Sequence, residues 1–255
     1  MKLIFALLLS FGLVAQEAEL PPLVVGTSSG YAPFVSLNDH GVYEGFDIDV
    51  GTELAARLHR KLVLKDLGSM PSLMLALKQG KIDLLIWAVS ITAERAKHID
   101  FVYYQGEKIT KMPFVFWKEV PQNIETIDDL SKIASTSTGK YICVEAGTSQ
   151  EEILKNYPSV NLKYVDRVTD ALMEIKYGKS CGTTLDPSLI PALSAKYPEL
   201  KVLEIDLPED QQVQGVGICV NPVNKELFGK VQATIVEMQQ DGTILKLEKK
   251  WNLAQ

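Results

Sequence analysis

Two aspartates, Asp47 and Asp49, stand two residues apart in the stretch GFDIDVGTELAARL, residues 45–58. A close pair of carboxylates is a ligand set for a metal ion and can also divide acid and base roles in catalysis. Apolar residues recur every four positions here, which predicts a helix. Residues i and i+2 of a helix point about 200° apart, so the two carboxylates would not share a face. We therefore predict a structural pair that caps the start of the helix and meets its dipole, each interaction contributing roughly 0.5–1 kcal/mol.

Histidine and cysteine offer no clearer chemistry. None of the three histidines has an evident catalytic partner in the sequence. The cysteines lie in apolar, strand-like runs (YICVEAG, SCGTTL and GVGICV), and their wide spacing matches no zinc motif. We expect buried free thiols at Cys143, Cys181 and Cys219, with one disulfide as the alternative in an oxidising compartment. No metal or cofactor is expected.

Short apolar runs alternate with stretches of helical spacing along the chain. The runs that predict strands are 22–27, 62–67, 82–90, 112–117, 141–147, 161–165 and 215–220. The last 35 residues predict two helices, one from Pro222 to the Asp-Gly pair at 241–242 and one over 243–251. Strands that alternate with helices favour an α/β fold with largely parallel sheets.

Two polar stretches interrupt this alternation, QGEKITK at 105–111 and DLPEDQQVQ at 206–214. We interpret them as crossings between two domains. The resulting partition is a discontinuous lobe 1 (20–107 plus 213–255), a continuous lobe 2 (112–206) and hinges near 107–112 and 206–213.

The composition argues against a nucleic-acid partner. The chain has 255 residues, 46% of them apolar, which is enough for a sizeable core. Its net charge is −6, and the 26 basic residues form no long run of the kind that binds phosphates.

The N-terminal segment MKLIFALLLSFGLVAQEAEL has the shape of a secretory signal peptide. One lysine precedes an apolar stretch of about 13 residues, too short to cross a bilayer about 30 Å thick as a helix. We predict a signal peptide over residues 1–18 and export to the periplasm, with a retained N-terminal anchor as the alternative. No cysteine lies nearby, so a lipoprotein anchor is not expected.

The glycine–aromatic–Asp–aliphatic–Asp–aliphatic run at 45–50 resembles the signature of the family 3 extracellular solute-binding proteins, the polar amino acid receptors of bacterial ABC importers. VGTSSGYAPF resembles the family's first strand and ligand loop, and LKQGKIDLLIWAVSITAERAKHIDF its central lobe-1 segment. VEAGTSQE resembles its lobe-2 anion loop, and GVGICV with QQDGTILKLEKKW its closing strand and terminal helices. The resemblance covers essentially the whole chain after the signal peptide. It implies the type II periplasmic-binding-protein fold, two α/β lobes joined by two hinge strands with the ligand between them.

An amino acid's carboxylate needs a cation and N–H donors. Arg95 suits it because a planar guanidinium can hold both oxygens, although a surface ion pair is the alternative from the residues alone. Ser90 and Thr92 lie where a strand ends and a helix is predicted to begin, a position that favours anions and also suits capping by Thr92. The resemblance implies that Arg95 and Ser90 contact the ligand and that Thr148 and Ser149 do so from the equivalent loop of lobe 2.

The ammonium and the side chain of the ligand need other partners. Asp186 precedes Pro187 and could simply cap a helix, but the resemblance implies that it binds the ammonium. Tyr31 matches an aromatic position that stacks on the ligand, whereas Met70 stands where the family usually has a second ring. Trp87 either replaces that ring or belongs to the core, and the resemblance also places Ala88 at the ligand.

Two further positions bear on the ligand's side chain. Ser28 falls where receptors for basic amino acids often carry an acid. Glu145 falls at a pocket position of lobe 2, where it either faces a cationic side chain or is a solvated loop residue. Glu145 with Tyr31 and Trp87 would suit arginine or lysine by ion pairing and cation–π contact. The absence of an acid at position 28 and of a ring at position 70 favours glutamine or another neutral polar side chain, and of these ligands we expect arginine.

The resemblance implies a monomeric periplasmic receptor that binds a free L-amino acid, closes on it and delivers it to the permease of an ABC importer. Two other functions stay open at this point. One is a periplasmic dehydratase of the prephenate or arogenate type on the same fold. The other is a ligand-sensing module that acts on a signalling partner.

Overall fold

Twelve strands and eight α-helices lie in residues 21–133 and 140–254, the part of the chain that the computed structural model describes. The strands are β1 (Leu23–Thr27), β2 (Ser36–Leu37), β3 (Tyr43–Glu44), β4 (Leu62–Asp66), β5 (Leu84–Ser90), β6 (Asp100–Gln105), β7 (Lys111–Trp117), β8 (Ile142–Glu145), β9 (Leu162–Val165), β10 (Gly182–Thr184), β11 (Leu200–Asp206) and β12 (Val216–Val220). The helices are α1 (Phe46–Arg57), α2 (Met70–Lys78), α3 (Leu130–Ile133), α4 (Ser149–Leu154), α5 (Val168–Lys176), α6 (Ile190–Lys196), α7 (Lys225–Gln240) and α8 (Thr243–Lys250). The predicted signal peptide, residues 1–18, lies outside the described residues.

Ten of these strands form two five-stranded sheets. The first has the order β4-β1-β5-β12-β6, in which β12 runs antiparallel to both its neighbours. The second has the order β11-β7-β10-β8-β9, in which β7 is the antiparallel strand. Each sheet is therefore mixed but mostly parallel, and the predicted α/β class is confirmed. We call the part of the chain around the first sheet lobe 1 and the part around the second lobe 2.

The central strands of the first sheet are apolar because both of their faces are buried. All seven residues of β5 and all five of β12 are buried. Each lobe has its own hydrophobic clusters, one large cluster in lobe 1 and two smaller ones in lobe 2. In lobe 1, α1 packs Phe46, Val50 and Leu54 into that core at the predicted spacing.

Two connections join the lobes. The chain leaves lobe 1 between β6 and β7 and returns between β11 and β12. The connections touch each other, because the N–H of Ile109 donates to the carbonyl of Val213 at 2.8 Å and the reverse bond is 3.1 Å. The segments predicted as hinges, near 107–112 and 206–213, fall on these connections, and their action as hinges stays a prediction.

The aspartate pair holds elements together but does not cap a helix, which corrects the capping prediction. The residue before α1 is Gly45, and no side chain caps that helix. Asp47 is turned towards β5 and is only 2% exposed, whereas Asp49 accepts hydrogen bonds from Lys250 and Trp251 at 2.6 Å each. The two carboxylates do lie on different sides of the helix, as predicted, but each has a tertiary partner instead of the helix's own N–H groups.

Three further observations concern the start of α7, the state of the cysteines and the possibility of a membrane-spanning helix. Helix α7 begins at Lys225 and not at Pro222, because the side chain of Asn224 caps it by accepting from the N–H of Leu227 at 3.2 Å. All three cysteines are free thiols, and Cys143 and Cys219 are buried as predicted, whereas Cys181 is only partly buried. Within the described residues, none of the helices combines the length and apolar character needed to cross a membrane.

Candidate functional site

A cavity lies where loops from the two lobes meet. It encloses about 300 Å³ of empty space, a figure that includes its opening to solvent. Lobe 1 contributes Tyr31, Met70, Trp87, Ala88, Ser90 and Arg95. Lobe 2 contributes Glu145, Thr148, Ser149, Gln150 and Asp186. Most of these residues lie at or just after the carboxyl ends of parallel strands, where ligands of open α/β sheets usually bind.

Ten of the predicted site residues line this cavity, and one does not. Ser28 is buried at the end of β1 and is absent from the lining. Gln150 lines the cavity but was not singled out from the sequence. The sequence feature that could have identified Gln150 is its position next to Ser149, at the start of α4.

The guanidinium of Arg95 bridges the two lobes. Its two terminal nitrogens donate to the carbonyl of Ser90 at 3.1 Å and to the carbonyl of Gly147 at 2.8 Å. Its Nε lies 3.4 Å from a carboxylate oxygen of Glu152. Each terminal nitrogen carries a second N–H without a partner among the described residues, and such a pair suits a carboxylate. Burial lowers the pKa of Arg95, but a guanidinium stays charged at neutral pH.

Two serines complete the polar end of the cavity. The hydroxyl of Ser149, at the first turn of α4, donates to the hydroxyl of Ser90 at 3.0 Å across the lobes. The predicted helix after β5 is only a 3₁₀ turn, Arg95–Lys97, so it offers no long helix dipole. Thr92 precedes the N-cap residue of this turn, Glu94, but its hydroxyl does accept from the N–H of Arg95 at 3.1 Å and donates to Glu152 in lobe 2 at 3.0 Å.

The carboxyl group of Glu145 is buried without a partner. The residue is only 8% exposed, and no hydrogen bond or ion pair reaches its carboxylate from any described residue. Burial, with the nearby charges of Asp166 and Asp170, raises its pKa from 4.5 to about 8. A cation in the cavity would reverse this effect because it stabilises the ionised form.

Asp186 has one oxygen engaged and one available. Its Oδ1 accepts from the N–H of Ser188 at 2.9 Å and from that residue's hydroxyl, so it caps the 3₁₀ turn that begins at Pro187. Its Oδ2 has no hydrogen-bond partner among the described residues. Burial raises the pKa of this carboxyl group too. Capping and binding of an ammonium are therefore compatible.

Aromatic rings form the remaining wall. The rings of Tyr31 and Trp87 lie 5.4 Å apart at 56°. Trp87 is 5% exposed, and its indole N–H has no hydrogen-bond partner in the described residues. Met70 stands at the start of α2, so the cavity has two rings on the lobe 1 side and a thioether. Burial and the charges of Asp186 and Glu145 raise the pKa of Tyr31 well above its usual value, so its hydroxyl stays protonated.

The cavity thus combines one cation, two carboxyl groups and two aromatic rings. No group of three or more His, Cys, Asp or Glu side chains is arranged to hold a metal ion in residues 21–133 and 140–254. This arrangement can bind a zwitterion and supplies one further carboxyl group for a second positive charge.

Comparison with known proteins gives a family match over nearly the whole chain. Residues 23–254 match the family described as bacterial extracellular solute-binding proteins, family 3. The chain is 35% identical over 237 residues to the probable ABC transporter arginine-binding protein ArtJ of Chlamydia trachomatis, covering 93% of this chain and 88% of that protein.

Two solved structures of ancestral arginine-binding proteins are similar to the whole fold. One, bound to arginine, matches with a TM-score of 0.78 and 29% identity, over 92% of this chain and 99% of that one. The other, bound to glutamine, matches with a TM-score of 0.77 and 29% identity, over 91% and 98% of the two chains.

Proposed function

The chain belongs to the bacterial extracellular solute-binding proteins of family 3, and we propose that its ligand is a free cationic amino acid, with arginine favoured. As a member of this family it is an amino-acid-binding protein of an ABC transporter and not an enzyme. The choice of arginine is the proposal, and lysine and ornithine share the charge on which it rests.

The buried carboxyl group of Glu145 carries this proposal. A carboxyl group that is 8% exposed and has no described partner is costly when ionised, unless a ligand supplies the missing cation. Arginine would place its carboxylate on Arg95, its ammonium on Asp186 and its guanidinium on Glu145, beside the ring of Tyr31. The relative named as an arginine-binding protein supports the same choice.

Glutamine is the second candidate, and one observation favours it. Because the pKa of Glu145 is about 8 in the empty cavity, this carboxyl group is largely protonated at neutral pH. A protonated carboxyl group can donate a hydrogen bond to the carbonyl oxygen of a glutamine side chain. The similar ancestral structure that is bound to glutamine supports this alternative.

Two substitutions distinguish the roles of the two acids. Glu145→Gln should weaken arginine binding by about 100-fold or more, because it leaves the guanidinium buried without its charge partner, and should change glutamine binding little. Asp186→Asn should weaken both ligands, because both carry the same ammonium, while asparagine still caps the turn at Pro187. Isothermal titration calorimetry on ligand-stripped protein measures all four affinities. Arginine binding that is unchanged in Glu145→Gln would contradict the proposed ligand.

Closure of the lobes completes the proposed mechanism. Arg95, Ser90 and Tyr31 would receive the amino acid on lobe 1, and closure would bring Ser149 and Asp186 from lobe 2. The ligand's carboxylate would take the place of the direct Ser90–Ser149 contact and so be shared by both lobes. Since both lobes then bind one ligand, binding and closure are thermodynamically coupled.

Delivery and export follow from the same proposal. The closed receptor would dock as a monomer on the permease of its ABC importer and release the amino acid there. Removal of residues 1–18 during export would place it in the periplasm. Mass spectrometry of the N-terminus of the protein recovered from the periplasm tests this step, and an intact N-terminus would contradict it.

A further inference from the structure

Asp47 links three elements behind the cavity. Its carboxylate is 2% exposed and accepts two hydrogen bonds, from the N–H of Ala88 in β5 at 2.8 Å and from the hydroxyl of Tyr104 in β6 at 2.7 Å. The ring of Tyr104 stacks on that of Phe46, the first residue of α1, at 5.8 Å. The start of α1 is thereby fixed to two strands of the first sheet.

The strand that Asp47 contacts is irregular at the same point. Gly217 of β12 pairs with Val89, whereas Cys219 pairs with Leu85, so residues 86–88 of β5 face a single residue of β12. Such a bulge twists a strand and re-aims its side chains. Ala88 has a φ of +44°, a left-handed conformation that is strained for any residue with a Cβ.

The bulge decides which side chains reach the cavity. In a regular strand, consecutive side chains point to opposite faces. Here Trp87 and Ala88 are consecutive and both line the cavity, together with Ser90. An unbulged β5 would turn either Trp87 or Ala88 away from the ligand.

We propose that Asp47 and Tyr104 are positioning residues, which hold the bulge of β5 in the shape that presents Trp87, Ala88 and Ser90 to the ligand. The inference rests on the proposed function and adds residues that touch no ligand. Asp47 gives the strained Ala88 a hydrogen-bond acceptor that the neighbouring strand does not supply. The first aspartate of the GFDID stretch thus acts on the binding site through the backbone of β5.

Substitutions at Asp47 and Ala88 test the inference through ligand affinity. Asp47→Ala should weaken binding of the amino acid that the wild-type protein binds by 10-fold or more. Asp47→Asn should bind within about 3-fold of the wild type, because its amide oxygen still accepts from Ala88. Adding Ala88→Gly to Asp47→Ala should recover most of the affinity, because glycine adopts positive φ without strain.

The chain offers a matched control two residues away. Asp49→Ala removes a carboxylate that holds Lys250 and Trp251 of the C-terminal region. It should lower the melting temperature and leave the affinity unchanged. Equal affinity in Asp47→Ala and the wild type, or equal losses in Asp47→Ala and Asp49→Ala, would overturn the inference.

Two further measurements keep the test decisive. If Asp47→Ala does not fold, Tyr104→Phe takes its place. Tyr104→Phe should lose affinity, and adding Ala88→Gly should restore it. Wild-type affinity in Tyr104→Phe would overturn the inference.

Amide hydrogen exchange over residues 86–90 of the empty protein needs no ligand. Exchange there should rise in Asp47→Ala or Tyr104→Phe but not in Asp49→Ala, and unchanged exchange would overturn the inference. A wild-type protein that binds no amino acid would instead contradict the proposed function, while the exchange result still decides the role of Asp47.

Discussion

Glu145 and Asp186 bring two buried carboxyl groups to one cavity, and neither has an ion-pair partner among the described residues. Arg95 is the cation of that cavity within the described residues, and it donates to Ser90, Gly147 and Glu152. Burial raises the pKa of both acids, to about 8 for Glu145, because a buried carboxylate is costly. A ligand with two positive charges would lower both pKa values, because it stabilises the ionised forms. The chemistry of the site is therefore sensitive to pH near neutrality.

Arginine binding should strengthen as pH rises from 6 to 8. The empty protein binds a proton at Glu145 below pH about 8, and the guanidinium displaces it, so the dissociation constant should approach a tenfold change per pH unit in this range. Glutamine, as a hydrogen-bond partner of the neutral acid, should show a weaker or opposite dependence. Calorimetry of both ligands at several pH values provides the comparison.

The control for this prediction is Glu145→Gln. Arginine and glutamine should follow the same pH dependence in that variant, because only Asp186 and the shared ammonium then titrate. Arginine affinity that is flat between pH 6 and 8 in the wild-type protein would contradict a charge pair at Glu145.

Glu145→Gln should also make the empty protein more stable than the wild type in alkaline solution. A carboxyl group whose folded pKa is raised to about 8 stabilises the fold fully below its unfolded pKa, and that contribution is lost as pH rises through about 8. Each unit of pKa shift corresponds to about 1.4 kcal/mol of unfolding free energy, so the melting temperatures should differ by several degrees at pH 9 and converge near pH 4.

The exposed Glu94 gives the matched control for stability. Its pKa is lowered by Lys97, so Glu94→Gln should bring no gain at pH 9. A wild-type protein as stable as Glu145→Gln at pH 9 would show that the Glu145 carboxylate has a partner when ionised.

Individual residues differ in how far sequence could predict them. Arg95, Ser149 and Asp186 stand in short motifs beside strand ends, and the resemblance of those motifs to the family predicted the three residues that the structure has at the cavity. The prediction that Asp47 caps the helix was wrong, because its partners, Ala88 and Tyr104, lie 41 and 57 residues further along the chain. Local spacing indicates a helix start there, whereas the tertiary contacts decide where the carboxylate points.

At the scale of elements, the loop between β8 and α4 approaches α2 of the other lobe very closely. Gly147 has a φ of +79°, and a Cβ there would lie 3.0 Å from the Cβ of Met70 and 3.0 Å from Pro71. Its carbonyl also accepts from Arg95. This loop can meet α2 so closely because position 147 has no side chain.

Gly147→Ala should therefore weaken ligand binding by about 10-fold, since the added methyl group opposes closure at a cost of about 1–2 kcal/mol. Gly178→Ala is the matched control, because Gly178 also has a positive φ, +67°, but has no atom within 4 Å of the added Cβ. That control should lose thermal stability and keep its affinity. Equal affinities in both variants, measured by calorimetry, would contradict a close approach in the bound form.

Strands were predictable where the sequence holds a run of apolar residues long enough to stand out. All seven predicted runs contain strands, from the fully buried β5 and β12 to the edge strands β4 and β9. The strands that escaped prediction include the edge strands β6 and β11 and the central strand β10. β6 and β11 carry polar and exposed residues, and β10 is only three residues long, so none of them forms a long apolar run in the sequence.

The whole molecule is held across the cavity by polar contacts. Ser90 contacts Ser149, Thr92 contacts Glu152, and Arg95 contacts Gly147, each pair joining the two lobes. Such contacts can be exchanged for contacts with water or a ligand, since each contributes only about 1–3 kcal/mol net. The two connections between the lobes would then allow the cavity to open, which is the predicted action of the hinges.

Binding of free amino acids to ligand-stripped protein tests whether this two-lobed protein is a receptor for a cationic amino acid. The protein would be unfolded, refolded without ligand, and melted in the presence of each of the twenty amino acids and ornithine. At 100 times its dissociation constant, a ligand adds about 2.7 kcal/mol to the unfolding free energy, which raises the melting temperature by several degrees. The prediction is a rise with arginine, lysine or ornithine that is largest with arginine. A rise confined to neutral amino acids, or no rise from protein shown to be folded, would contradict it.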